Sequence, residues 1–361
     1  MAARAIVGLD IGTSGVRAAE LSLGKRPATL TRFGQVALPP GAVRDGEVID
    51  VDVVAAAIRQ LWASTKFSTK RVTVGVSNQK VVAREVDLPR LPADELRKSL
   101  PFLVQDRIPM PVDQAILDFH PLEEFETESG DRMVRVLLVA AAEDVVDNTV
   151  RAVQKAGLNP VAVDLTPFAL LRGLARVDEL GLSEDSGEAL IDIGAGVTNI
   201  VVHQGGVPRF VRILLMGGAD ITEAIAERLG ISTEEAESLK QQTGMLAKAR
   251  DLTDADSPAT WAIETSAAAF IEEVRGSLDY HRHQPHSVDA KRIVLSGGGG
   301  QLRGLAERLA TATRVPVELG TAMTRLKVGK VGLTEEQLAF VAPLVSVPVG
   351  LAMGTSLGLA S

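Results

Sequence analysis

The tripeptide Asp-Ile-Gly occurs twice, at Asp10-Ile11-Gly12 and at Asp192-Ile193-Gly194. Each copy closes an apolar run, Ile6-Val7-Gly8-Leu9 in the first and Ala189-Leu190-Ile191 in the second. Small residues follow, Thr13-Ser14-Gly15 and Ala195-Gly196, and β-type sequence resumes at Val16-Arg17 and Val197-Thr198. This patterning predicts two strand–turn–strand hairpins. Each tip offers a carboxylate, a glycine that admits close backbone approach, and free N–H groups. Two such tips facing each other across a cleft would hold the phosphates of a nucleotide and a hydrated magnesium ion, which keeps part of its water shell. The dinucleotide fingerprint does not fit, because that loop runs from a strand into a helix. A Walker loop is excluded because no G-x-x-x-x-G-K-[ST] is present.

The elements that must position these tips are legible in the hydrophobic periodicity. Residues 4–38 read as strands around the first tip, and Val51 to Lys66 as a helix with Val54, Ile58 and Leu61 on one face. Val72-Val74-Val76 reads as a strand. A stretch with its own grammar follows. It predicts a helix over 92–107 interrupted by Pro101, extended backbone at Ile108-Pro109-Met110-Pro111, and a strand over 116–120. An acidic loop over 123–131, a strand over 133–141 and a helix over 142–156, ended by Gly157, complete it. The order helix, strand, strand, helix predicts a small α/β module inserted in the first half.

The second half opens at Glu188. Asp220 to Leu229 reads as a helix behind Gly217-Gly218. Ser232-Thr233-Glu234-Glu235 is a capping box whose helix stops at Gly244. A longer helix over 261–281, a strand over 292–296, the loop Gly297 to Gly300 and a helix over 302–311 follow. The paired hairpins predict two similarly built halves.

Other chemistry is weaker. Four glycines after an apolar strand would let a flat ligand lie on backbone, or would form a plain turn. Glu237 and Lys240 share a helix face at i and i+3, as a surface ion pair or as a polar clamp on a ribose. His281, His283 and His286 have only Asp279 and Asp289 as acidic neighbours at ligand spacing, so a solvated helix end is expected there rather than a metal site. No Ser-His-Asp or cysteine nucleophile grouping stands out. The chain of 361 residues has no cysteine, 46% hydrophobic and 3% aromatic residues, which requires an aliphatic core. Its net charge of −8 argues against general nucleic-acid binding. The N-terminus enters a strand at once, so no signal peptide is expected. Leu338 to Ser361 carries no charge, but Pro343, Pro348 and three glycines argue against a membrane span. A buried strand or loop, then a small-residue helix from about Pro348, is expected there.

Taken together, these residues resemble the actin, heat-shock-chaperone and sugar-kinase superfamily of split ATPases. Ile6 to Leu21 resembles its first phosphate motif, Leu190 to Val202 its second, Ile293 to Gly299 its adenosine motif, and Pro348 to Met353 its second connecting helix. Glu237 and Lys240 match the superfamily's Glu-x-x-K pair near ribose and adenine, which favours the clamp. Within the superfamily the chain is similar to the PilM family of type IV pilus assembly proteins, relatives of the division protein FtsA. Val7 to Gly12, Arg107 to Pro111, Gly217 to Thr222 and the Leu137-to-Pro160 pattern carry that likeness.

The resemblance implies an α/β, actin-like split ATPase fold with two ribonuclease-H-like halves and an inserted 1C-type α/β module. It implies subdomain 1A over 1–83, the 1C module over 84–163, a return to 1A over 164–187, 2A over 188–225, 2B over 226–289, a return to 2A over 290–334, and a C-terminal connecting helix over 335–361. It implies ATP and Mg2+ as ligands. The nucleotide-binding set is then Asp10, Gly12, Thr13, Ser14 and Arg17 from the first motif. Asp192, Gly194, Ala195, Gly196, Thr198, Asn199, Gly217 and Gly218 come from the second half. Glu237, Lys240, Gly297, Gly298 and Gly299 complete it, with Asp10 and Asp192 meeting magnesium through water.

Two departures matter. Arg17 stands where the family usually has lysine. Gln105 takes the place of an acid before the Ile-Pro turn, so it would orient water without accepting its proton, and hydrolysis is expected to be slow at most. The implied partner is the cytoplasmic N-terminal tail of an inner-membrane PilN-like protein, docked between 1A and 1C. No FtsA-type basic amphipathic C-terminal helix is present, so the expected location is cytoplasmic, at the inner membrane through that partner, without direct insertion. Self-association, an FtsA-like filament of cell division, and a sugar-type kinase on the same fold remain the alternatives.

Overall fold

The computed structural model describes residues 5–23, 27–175, 187–246, 256–284 and 287–354. The chain opens with an antiparallel meander, β1 (Ala5–Gly12), β2 (Gly15–Ser22) and β3 (Thr29–Ala37). A two-residue-per-arm hairpin, β4 (Val43–Arg44) and β5 (Glu47–Val48), leads into α1 (Val51–Thr65) and β6 (Arg71–Val76). Asp50 caps α1, its side chain accepting from the amides of Asp52 and Val53. Next come β7 (Val81–Pro89), α2 (Ala93–Val104), β8 (Ala115–Glu126), β9 (Arg132–Ala142), α3 (Glu143–Lys155), β10 (Asn159–Leu165) and α4 (Thr166–Leu174).

A second meander, β11 (Gly187–Ile193), β12 (Thr198–Gln204) and β13 (Val207–Leu214), opens the other half. After it come α5 (Gly218–Leu229), α6 (Thr233–Thr243), α7 (Pro258–Arg282), β14 (Ala290–Ser296), α8 (Leu305–Thr313), β15 (Val317–Leu319), β16 (Lys327–Val328), α9 (Glu335–Val341) and α10 (Ser346–Gly354). The capping box at Ser232 is formed, with Glu235 reaching back to the Ser232 amide.

The two halves repeat one plan. In the first sheet, ordered β10-β6-β1-β2-β3-β16, the meander is flanked by β6 parallel to β1 and β10 parallel to β6. In the second, ordered β13-β12-β11-β14-β15, β14 runs parallel to β11 and β15 parallel to β14. The Asp-Ile-Gly copies sit at the equivalent β1–β2 and β11–β12 turns. Aliphatic side chains fill both lobes: Val7, Leu9, Val54, Ile58 and Leu61 in the first, Ile191, Ile193, Ile200, Ile263 and Ile293 in the second.

Helices α4 and α10 lie between the lobes. Leu170, Leu171 and Leu174 of α4 pack on Leu190, Val201 and Val294 of the second sheet. Val349 and Ala352 of α10 pack on the first meander. The helices cross so closely that a Cβ on Gly350 would meet the Ala169 carbonyl oxygen at 1.7 Å. Alanine normally favours a helix over glycine by about 1 kcal/mol. Overpacking against backbone costs about 1–3 kcal/mol or more, so the clash wins. Gly350→Ala is expected to lower the denaturant midpoint at unchanged slope, by about 2 kcal/mol; an unchanged midpoint would contradict the crossing.

The inserted module differs from expectation. Its sheet is three-stranded, ordered β7-β9-β8, so the order is strand, helix, strand, strand. Strand β7 is the addition; Arg84, Glu85 and Asp87 break its apolar alternation. The expected final helix is α3, but its Ala152 and Val153 are buried in the first-lobe core with α1 and β6. Strand β10 pairs with β6. The three-stranded sheet of the module thus lies within 81–142, while α3 packs on both sides, through Ala152 and Val153 on the first-lobe core and through Val146 on Val81 and Ala141.

Pro101 does not interrupt α2, which continues to Val104 with Pro101 on its exposed side. The acidic stretch 123–131 is strand as far as Glu126. Its acids are matched across the sheet: Arg135 bridges Asp87 and Glu123, and Arg90 meets Glu124 at 2.6 Å. The uncharged C-terminal region is helical earlier than expected, as Glu335–Leu344 and Ser346–Gly354 bent by 68°. Among the described residues no single helix is long and apolar enough to cross a membrane. Residues 355–361 and His286 lie outside the described residues.

Candidate functional site

Strand pairing fixes the first tip. Asp10 is opposite Arg17 on β2, and Gly12 is opposite Gly15. The second tip repeats this, with Asp192 opposite Asn199 on β12. Parallel pairing then brings polar groups alongside. Ser296 of β14 is abreast of Asp192, and the β1–β6 register, Leu9 with Val74, places Gly75 next to Asp10.

The tips face each other closely. A Cβ on Gly196 would meet Thr13 Oγ1 at 3.0 Å. Ser77 Oγ, just past β6, donates to Asn199 Oδ1 at 2.5 Å and so joins the lobes. Between them lies a cleft of about 1100 Å³. At the second tip, the carbonyls of Gly194 and Ala195 accept from the amides of Gly218 and Ala219, at 2.9 and 2.8 Å. The start of α5 thereby braces the loop from behind.

Glu237 and Lys240 reach the cleft from α6. Lys240, only 8% exposed, donates to the Gly218 carbonyl at 2.8 Å and to Thr222 Oγ1 at 2.7 Å, and meets Glu237 Oε2 at 2.6 Å. Burial acts to raise the Glu237 carboxyl, but bonds from Lys240, Thr222 and Gln241 outweigh it and hold it below the ordinary range. The pair is thus a rigid ionised wall joining α5 to α6. Gly297 to Gly299 floor the same side, with the Gly297 amide donating to the Pro343 carbonyl at 3.0 Å.

The two aspartates carry unusual protonation. Burial raises Asp10, opposed by Arg17, whose Nη1 is 3.8 Å away. Burial first, and the Asp10 charge second, push Asp192 up to about 7, with Ser296 and Arg17 acting the other way. Two like charges half-buried in one cleft disfavour joint ionisation, and a divalent cation would relieve that. The donor set suits Mg2+: oxygen ligands, two carboxylates and room for water.

A folded pKa raised above 3.8 gives stability below that value that is lost as pH rises through about 7. A cation must displace the proton, so its binding strengthens over the same interval. We expect Mg2+ to bind the free protein about tenfold more weakly at pH 6 than at pH 8, and Asp192→Asn to flatten the profile. A flat wild-type profile in a magnesium titration would contradict this.

Of the residues expected from sequence, Asp10, Gly12, Thr13, Ser14, Arg17, Asp192, Gly194, Ala195, Gly196, Asn199, Gly218, Glu237, Lys240 and Gly297 to Gly299 line the cleft. Three do not. Thr198 is fully buried, and its Oγ1 donates to the Met216 carbonyl at 2.8 Å. Gly217 caps α5 from behind, its amide donating to Asp220 Oδ2 at 2.6 Å. Gln105 is exposed at the end of α2, within the inserted module and away from the cleft lining. It cannot orient water there, because α2 packs on the module's own sheet through Leu96, Leu100 and Val104. The sequence reading missed Ser77, Thr166, Thr222 and the β4–β5 hairpin, all of which line the cleft. Ser77 and Thr166 follow the carboxyl ends of β6 and β10, a position set by sheet order and not by any local motif.

The chain is similar to several known proteins. FtsA of Bacillus subtilis is 28% identical over 262 residues, 66% of this chain and 58% of that protein, so the chain spans little more than half of it. FtsA of Neisseria meningitidis is 26% identical over 366 residues, covering 88% and 86%. A solved PilM-PilN type IV pilus biogenesis complex superposes with a TM-score of 0.83 at 30% identity, covering 96% of this chain and 97% of that one. MreB5 of Spiroplasma citri bound to ADP, at 13% identity and a TM-score of 0.54, covers 98% and 97% and shares the actin-like fold alone. The type IV pilus assembly protein PilM family matches residues 8–356, and the chain belongs to that family.

Proposed function

We propose that this chain is a cytoplasmic ATP-binding scaffold of type IV pilus assembly. It holds Mg-ATP between its lobes and docks the N-terminal tail of an inner-membrane PilN-like protein. The observation that carries the nucleotide part is the pair of equivalent hairpin tips, adjacent at Gly196 and Thr13, with Asp10 and Asp192 half-buried in the same cleft. The residues fit magnesium held through water, with Arg17 and the tip backbones taking phosphate and Glu237 with Lys240 walling the ribose side. Magnesium would neutralise phosphate charge there.

The partner part is supported by the likeness to the PilM-PilN complex and by the module's surface. Strand β8 is an edge of the module sheet. Beside it Leu100, Pro101, Val112, Leu117 and Phe119 line a groove of about 280 Å³, and Phe102 is 78% exposed. The groove is mixed, with Arg97 and Asp118 beside the apolar side chains, and an edge strand next to it suits an extended tail that carries both apolar and charged anchors. Subdomain limits stay as set out above, with the 1C sheet within 81–142.

Slow turnover remains the expectation: Gln105, in place of the family's acid, supplies no base, and the further carboxylates that line the cleft, Asp45, Asp220, Glu223 and Glu237, stand on the β4–β5 arm, α5 and α6 rather than on the aspartate tips. The test is affinity purification of the chain from its native membrane. Recovery of a single-span inner-membrane protein with a short cytoplasmic tail supports the reading. Its absence, or phosphorylation of any member of a sugar panel, contradicts it.

A further inference from the structure

The cleft has a wall that the phosphate motifs do not explain. Strands β4 and β5 form a small arm at its first-lobe side, and Arg44, Asp45 and Gly46 of that arm face the cavity. The arm is held in one position. The Leu38 amide donates to the Ser14 carbonyl at 3.0 Å, so the arm starts from the first tip. Asn78, 1% exposed, donates its amide to the Asp45 carbonyl. Lys80 Nζ meets Glu47 at 2.7 Å. Asp45 and Gly46 both take positive φ, 54° and 79°, which makes the turn tight. Gly46 packs so closely that a Cβ would meet the Ser77 carbonyl oxygen at 1.7 Å.

Ser77 follows the carboxyl end of β6, and β6 runs parallel beside β1. The arm therefore rests over the same strand ends that carry Asp10 and Gly12. Its turn is one bond from the lobe junction, since Ser77 Oγ reaches Asn199.

Among the described residues four cationic side chains line the cleft, and three are occupied. Arg17 meets Ser14 and Asp10, Lys240 has three partners, and Arg303 donates to the carbonyls of Gln242 and Thr243. Arg44 alone among them is exposed with no hydrogen bond or ion pair. A triphosphate entering beside two carboxylates needs positive charge at its terminal group, and a guanidinium offers it in forked geometry.

We propose that Arg44 contacts the terminal phosphate of the bound nucleotide, so that the β4–β5 arm distinguishes a nucleoside triphosphate from a diphosphate. This rests on the Mg-ATP reading above. The contact ties the arm, Ser77 and Asn199 into one chain between the lobes when the terminal phosphate is present, and leaves Arg44 in solvent when it is not.

Equilibrium titrations of the full chain with Mg-ATP and Mg-ADP test this, using wild type, Arg44→Ala and Arg44→Lys. Because Arg44 is exposed and unbonded, the variants should keep the wild-type melting temperature. Arg44→Ala is expected to lose at least tenfold in ATP affinity and less than twofold in ADP affinity, with Arg44→Lys between. Equal losses for both nucleotides, or none, overturn the assignment. A folded wild type that binds neither nucleotide overturns the nucleotide reading, and this assignment with it.

Discussion

Asp10→Ala and Asp192→Ala are each expected to weaken Mg-ATP binding at least tenfold, about 1.4 kcal/mol. The two carboxylates occupy equivalent turns of the two halves; Asp10 has one long ion pair, with Arg17 Nη1 at 3.8 Å, and the Asp192 carboxyl has a hydrogen bond from Ser296. Burial raises both, so the site without metal is electrostatically unsatisfied. Removing one carboxylate deletes a water-bridged metal contact and lets the other ionise more easily. The loss should therefore appear as weaker magnesium dependence as well as weaker ATP binding. The fold itself should gain slightly, because a raised carboxyl destabilises the unliganded protein at neutral pH. Calorimetry showing wild-type affinity in both folded variants would contradict the site.

Partner binding is expected to disappear when the module is shortened while Mg-ATP affinity survives. The module touches the cleft through no residue between 90 and 131. The Arg90 amide donates to the Arg132 carbonyl at 3.0 Å, so residues 91–131 are replaceable by a tight turn joining β7 to β9. That variant removes α2 and β8, and with them the groove at Leu100, Leu117 and Phe119. Deleting 84–163 would be a poorer test, since it takes β10 from the main sheet and α3 from its core. Phe102→Ser leaves the fold intact because that ring is 78% exposed. It is expected to cost at least tenfold in affinity for the partner's tail, as exposed aromatic anchors do. Undiminished partner binding in both variants would place the docking surface elsewhere.

The hairpin tips, the capped α6, the glycine floor and the two-half plan were legible because each is encoded locally. Alternation, a turn glycine or a capping pair suffices to show them. What was hidden depends on sheet order. Ser77 and Thr166 join the site because β6 and β10 run parallel outward from β1. The β4–β5 arm has only two residues per strand, too short for any period. Thr198 follows the second tip in sequence, yet strand alternation turns it inward to Met216 while Asn199 faces the cleft. Gln105 was misplaced for a related reason. Proximity to the Ile-Pro turn in sequence does not bring it to the cleft, since the whole α2 face is spent on the module's own core. Helix α3, amphipathic like any surface helix, serves both neighbours: Ala152 and Val153 enter the first-lobe core, and Val146 packs on Val81 and Ala141 of the module strands, which no local pattern shows.

The most direct measurement is a crystal structure grown with magnesium and a non-hydrolysable ATP analogue. The triphosphate is expected between Gly12–Ser14 and Gly194–Gly196, with the metal reached through water by Asp10 and Asp192 and the base over Gly297–Gly299. A triphosphate bound outside the two tips, or a metal with neither aspartate in its water shell, would contradict it.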